Sequence, residues 1–317
     1  MNKDRLNYKR YPEAVHGLFA LEEYLGQREG VASLVHLIKI RGSQLNGCAE
    51  CLDRHVKEAL ADGETLQRIY GLAVWQASSL YIAKERLALR WAEALTLVSR
   101  QRVSVSLYQS VVEAFGERGC FDLTMAVLSI NNFNRLVKPF RPVRGDYRVG
   151  RRDKEQPAYQ PGQLLAPNKA LQGLKQMEAF VKGSDLNPRL QGLVRLRVSQ
   201  INQSPLDVER FAEAAFQEGE TQQRLYSLSL WHHTPYYAPK EQIALRWAEA
   251  LTLIFEHSFP DALYQAVTEA FGEEGTLFLT LLVLTVNNQN RLHLAFLEEA
   301  PQAEEEKQKS KDDGLTQ

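Results

Sequence analysis

The sequence predicts an all-α protein built as two tandem helical bundle units that form a pseudo-dimer within one chain. Three observations carry this. The run ALRWAEALTL occurs verbatim at 88–97 and again at 244–253. The offset of 156 residues between the copies carries through the flanking sequence without a gap. Apolar residues recur at helical rather than strand spacing in both copies.

The same offset pairs Ser43 with Ser199, Asn46 with Asn202, Trp75 with Trp231, and Tyr108 with Tyr264. It continues through Asn131, Asn132, Asn134 and Arg135, which meet Asn287, Asn288, Asn290 and Arg291. The first unit is taken as 1–140, a linker as 141–167 and the second unit as 168–297. Residues 298–317 form a charged tail with almost nothing to bury, expected to be disordered. The linker begins RPVRGDYRVGRR, the chain's only basic cluster, and reads as a solvated charge run.

Within the first unit Leu34, Leu37, Ile38 and Ile40 make one apolar stripe. Leu87, Leu89, Trp91, Ala94 and Leu95 make a second, and Leu123, Ala126, Val127 and Ile130 a third. Helix breaks are expected at Gly42, at Asn46-Gly47, at Asp62-Gly63, at the two serines before Leu80, and at Gly116 to Gly119. Five or six helices per unit follow.

Composition narrows the function. With 317 residues, 44% of them hydrophobic and 24% charged, and no long apolar run, the chain reads as a soluble globular protein with no membrane span. A net charge of -1 gives no electrostatic footprint for nucleic acid. The amino terminus is broken by Pro12, Glu13 and His16 before any apolar stretch, so no export signal is expected and the location is read as cytoplasmic. Three cysteines in so long a chain do not make a secreted disulfide framework.

Two of those cysteines stand in NGCAECLDRH at 46–55, with a histidine four residues beyond the second. Cys48, Cys51 and His55 share one helix face, and Asn46-Gly47 reads as the start of that helix. Free N–H groups and the positive dipole end there favour a thiolate. The second copy reads NQSPLDVERF at 202–211, so Ser204, Asp207 and Phe211 stand in their places. His36 becomes Gly192. Groups lost together are expected to form one site, whereas Trp91 and Glu93, kept as Trp247 and Glu249, are expected to serve the fold.

The motif admits three readings at this point: a redox dithiol, three ligands of a zinc site with His36 as the fourth, or a packed helix. Cys120, replaced by Thr276, reads as a buried inert thiol. His16, His232, His233, His257 and His293 share no spacing with acids or cysteines and are taken as surface or core.

The run LVHLIKIRGSQLNGCAECLDRHVKEALADGE, with ALRWAEALTL and INNFNRL, resembles the AhpD-like alkylhydroperoxidase branch of the carboxymuconolactone decarboxylase family. The likeness spans the first unit and, without the cysteines, the second. It implies a thiol peroxidase in homo-oligomers, with a hydroperoxide substrate and recharging by a dithiol, lipoyl-type or otherwise, or by a partner reductase. By position, Cys51 looks like the peroxidatic thiol, Cys48 the resolving and exchange thiol, and His55 the proton shuttle. No cofactor or metal is implied. Two departures stand out: the family's relay glutamate twelve residues before the first cysteine is here His36, a possible imidazole relay, and Glu50 precedes the second cysteine. A non-catalytic scaffold of the same fold and a lactone decarboxylase-like activity are the competing functions.

Overall fold

The computed structural model describes residues 5–27, 32–141, 147–149 and 167–296, and the helix is the only regular structure among them. The expected tail, and the linker apart from residues 141, 147–149 and 167, lie outside the described residues. In the first unit the helices are α1 (Pro12–Gly26), α2 (Ala32–Asn46), α3 (Ala49–Ala61), α4 (Leu66–Gly71), α5 (Ala83–Thr96) and α6 (Val105–Phe140). The second unit repeats them as α7 (Pro167–Lys182), α8 (Pro188–Ile201), α9 (Pro205–Gln217), α10 (Gln222–Ser227), α11 (Pro239–Thr252) and α12 (Asp261–Ala295).

Helix starts follow their capping residues. Thr65 and Thr221 accept from the backbone N–H of Arg68 and Arg224, and Ser104 from that of Leu107. At α5 and α11 only the return half of a capping box is chemically real, because Ile82 and Ala238 carry no acceptor. Glu85 and Glu241 accept from the Ile82 and Ala238 N–H groups at 2.9 and 2.7 Å. The Trp91 indole donates to Thr124 and the Trp247 indole to Thr280, and Trp75 and Trp231 likewise bond Glu93 and Glu249. These pairs recur in both units, as fold residues should.

Two expected breaks take another form. Helix α2 runs straight through Gly42, where a Cβ would stand 2.8 Å from Cγ2 of Ile130, so the glycine admits α6 rather than ending α2. At the positions matching Gly42 and Ile130 the second unit carries Val198 and the smaller Val286. At Gly116 the chain leaves helical geometry for one residue, with φ +71° and ψ 168°, and resumes as the same long helix. Gly272 does the same in α12.

The units exchange core residues. Leu18, Leu136 and Phe140 of the first unit join the second unit's hydrophobic cluster, while Ala170 and Ala295 join the first's. Helices α1 and α7 cross where Gly17 meets Gly173, and a Cβ on Gly17 would lie 2.2 Å from the Gly173 carbonyl oxygen. Buried Arg135 donates to the Thr252 carbonyl, and buried Arg291 to those of Leu95 and Thr96. Such reciprocal contacts are what a pseudo-two-fold pair requires.

Candidate functional site

A glycine fixes the approach to the dithiol. Gly47 sits at φ +62°, ending α2 with Gly47 N–H to the Gln44 carbonyl at 3.2 Å and Cys48 N–H to the Ser43 carbonyl at 3.0 Å. This paired closure is a Schellman motif. It makes Cys48 the last residue of one helix ending and the N-cap of the next, with extended φ −96° and ψ 93°. Cys51 follows as the third residue of α3, so only Cys51, not Cys48, lies within its first turn.

The two sulfurs are 2.6 Å apart in free, buried thiols packed against Ile130, Val137 and Tyr8. Cys48 is held below the ordinary thiol value, first by its bond with the Cys51 thiol, with the Cys51 amide and Lys138 adding to that pull against burial and Glu50. Burial pushes Cys51 well up, and the charge on Cys48 pushes it further. Of the two thiols Cys48 is therefore the one that ionises more readily, and a charge on it opposes a second one on Cys51.

His55 lies one turn beyond Cys51 on the same face of α3. Burial lowers its pKa, against the opposing bond to Glu58, so the ring is neutral near pH 7. Its Nδ1 lies 2.8 Å from Oε2 of Glu58. Despite burial, His55, Arg54 and Tyr147 hold the Glu58 carboxyl well below the usual carboxylate range. Tyr147, from the described piece of the linker, donates to Glu58 at 2.7 Å and lies under the Arg54 guanidinium. Tyr147 thus ties this short segment to α3, while Arg148 and Val149 stay exposed to solvent.

Further back, Glu22 pairs with Lys39 at 2.6 Å and accepts from Ser129. These two charges recur in kind as Glu178 and Arg195 in the thiol-free unit, which marks them as fold residues. Glu58 and Lys138 instead become Ala214 and Leu294. Sequence reasoning missed both, although their loss alongside the thiols was the available signal.

His36 is not brought to the thiols. Its Nε2 lies 2.7 Å from Asp62, the C-cap of α3, some three turns from Cys51. The imidazole relay and the four-ligand zinc set both lose this member. Among the described residues no group of three or more His, Cys, Asp or Glu side chains is arranged to hold a metal ion. Cys120 is fully buried in the first unit's core, and burial pushes its thiol up to about 11, as suits an inert group. Glu50 does oppose both thiolates.

In the second unit, Ser204 donates to Asp207 at 2.7 Å, Asn290 donates to the same oxygen at 2.7 Å, and His293 Nδ1 lies 2.9 Å from it. His293 was expected to be an ordinary surface or core residue. It stands at the position of Val137 and hydrogen-bonds a buried carboxylate, a role that linear spacing does not reveal.

The sequence pattern of the carboxymuconolactone decarboxylase family matches residues 12–94 and again 168–250, just over half of the chain. The uncharacterized protein YdfG of Bacillus subtilis is 39% identical over 129 residues, covering 41% of this chain and 88% of its own. A crystal structure of an Agrobacterium tumefaciens protein of unknown function, with a suggested AhpD antioxidant defence role, is 35% identical with a TM-score of 0.43, covering 45% of this chain and 98% of that one. Each relative thus corresponds to less than half of the present chain.

Proposed function

Because the chain belongs to the carboxymuconolactone decarboxylase family, with the family pattern present twice, we propose that its first unit reduces organic hydroperoxides through reversible formation of a Cys48–Cys51 disulfide. The observation that carries this reading is a pair of free, buried thiols with sulfurs 2.6 Å apart at the start of α3.

The Cys48 thiolate attacks a peroxide oxygen and the O–O bond breaks. The departing alkoxide takes the Cys51 proton, relayed by the basic Nε2 of His55, whose Nδ1 side is engaged by Glu58. Cys48 is then a sulfenic acid and Cys51 a thiolate. Attack of Cys51 on the Cys48 sulfur forms the disulfide and expels hydroxide, which is protonated to water. An external dithiol, of lipoyl type or on a partner reductase, returns both thiols by exchange. The resemblance implies Cys51 as the attacking thiol. The lowered value of Cys48 beside the raised one of Cys51 supports Cys48 instead, because Cys51 holds its proton more tightly.

Consumption of tert-butyl hydroperoxide by the full-length protein with dihydrolipoamide tests the proposal. Turnover is expected in the parent and a loss of about two orders of magnitude or more in Cys48→Ser and Cys51→Ser. Undiminished turnover in either variant would refute it. Dimedone should trap a sulfenic acid on Cys48 of the Cys51→Ser variant. Trapping only on Cys51 of the Cys48→Ser variant restores the order implied by the resemblance. Thiols that ignore peroxide leave the scaffold reading.

A further inference from the structure

Lys138 lies near the end of α6, and its ammonium donates to two carbonyls from different units. One is that of Asn46 at 2.9 Å, two residues before Cys48; the other is that of Ile254 in the second unit at 2.6 Å. The same Nζ stands 3.4 Å from where a Cβ on Gly47 would be, so the charge lies directly over the turn that delivers Cys48. Among the described residues its hydrogen-bond partners are these two carbonyls and no carboxylate. A half-buried ammonium held by two neutral carbonyls keeps most of its field for a nearby anion.

The internal copy supplies an independent observation. Asn46 and its fold-keeping asparagine network persist as Asn202, Asn287 and Asn290, with nearly the same bonds. Lys138 does not persist. Its counterpart is Leu294, lost with the thiols, His55 and Glu58. A lysine needed only to tie the two units would have no reason to vanish with the chemistry.

We infer that Lys138 is a positioning residue for the dithiol, clamped by one carbonyl from each unit so that its charge favours the thiolate form of Cys48. The thiol-free unit thereby contributes to the site through the Ile254 carbonyl. Among the described residues, the ionisable groups that act most on Cys48 are Cys51 and Glu50 from α3 and Lys138 from α6, with the Tyr8 phenol also packed against the thiols, and Lys138 is the cation of the set. Burial and the nearby Arg135 lower the lysine's own pKa, while the Cys48 charge raises it, as expected of a mutually stabilising pair.

The inference rests on the dithiol reading above, but its readout is thiol acidity and needs no peroxide turnover. In the full-length protein, the pH dependence of iodoacetamide alkylation at Cys48, read by peptide mass spectrometry, gives the midpoint for thiolate formation. Lys138→Met should raise that midpoint by about one pH unit, cutting the alkylation rate about tenfold at pH values well below the midpoint, and Lys138→Arg should recover most of it. Lys138→Gln keeps donors for the two carbonyls without the charge and should show the same rise, which also carries the test should the methionine variant fail to fold. An unchanged midpoint in folded Lys138→Met or Lys138→Gln overturns the inference. So does a rise that Lys138→Arg leaves uncorrected, because loss of structure alone would give that. A low midpoint without peroxide turnover would instead count against the proposed function and leave the role of Lys138 standing.

Discussion

The start of α3 and the start of α9 are the same piece of backbone with different chemistry. Both follow a Schellman closure, on Gly47 in one unit and on Gln203 at φ +54° in the other. Both are backed by an asparagine that bonds two more on the long helix. One carries two thiols and a histidine, with Lys138 supplied from α6; the other carries Ser204, buried Asp207 and Phe211, with His293 and Leu294 on α12. The frame therefore does not depend on the thiols. Gln203 tolerates a left-handed conformation that glycine adopts without cost, so the second unit has kept the turn even where its chemistry is gone.

The largest effect comes from turning one site into the other. Rewriting the first as the second with Cys48→Ser, Cys51→Asp, His55→Phe and Val137→His should abolish peroxide turnover while leaving the thermal midpoint within a few degrees. Cys51→Asp alone should cost about 3–5 kcal/mol at pH 7, because it buries a carboxylate without the partner that His293 provides. Urea unfolding of the two variants checks this. Equal stability would mean that the Asp207–His293 pair does not compensate for burial.

A smaller effect lies where the units meet. A Cβ at Gly17 would be 2.2 Å from the Gly173 carbonyl oxygen, whereas one at Gly173 would be 2.8 Å from that of Gly17. The obstacle is backbone in each case and has no rotamer to move. Gly17→Ala should cost about 1–3 kcal/mol and Gly173→Ala less, by thermal or urea unfolding of the full chain. Equal and negligible costs would show that α1 and α7 slide apart freely.

The helical fold, the repeat and the thiol motif were legible because they are written in local spacing and in one fixed offset. Gly42 misled because a glycine that ends a helix and one that admits a neighbouring helix look alike in sequence; only the Ile130 contact separates them. His36 misled because loss in the second copy signals a difference between units, not proximity, and Asp62 holds it at the other end of α3. Glu58 and Lys138 were within reach of the same comparison, but neither is of a residue type that announces redox chemistry. His293 was hidden most deeply, since its partner Asp207 is 86 residues away in the chain.

The mildest contrast between the units is one of acid response. His293, Ser204 and Asn290 hold Asp207 below its ordinary value despite burial, so its contribution to stability is full above the unfolded carboxylate value of about 3.9 and fades as pH falls through the lower folded value. At the matching position Cys51 is pushed upward, remains protonated throughout that range and contributes nothing to the slope. Urea midpoints measured from pH 7 down to about pH 2 should therefore fall less steeply below about pH 4 in Asp207→Asn than in the parent. Cys51→Ser should leave that slope as it was. A parent-like slope in Asp207→Asn would mean that acid sensitivity lies elsewhere, with Glu22 and Glu58, whose carboxyls are also held low, as the next residues to replace.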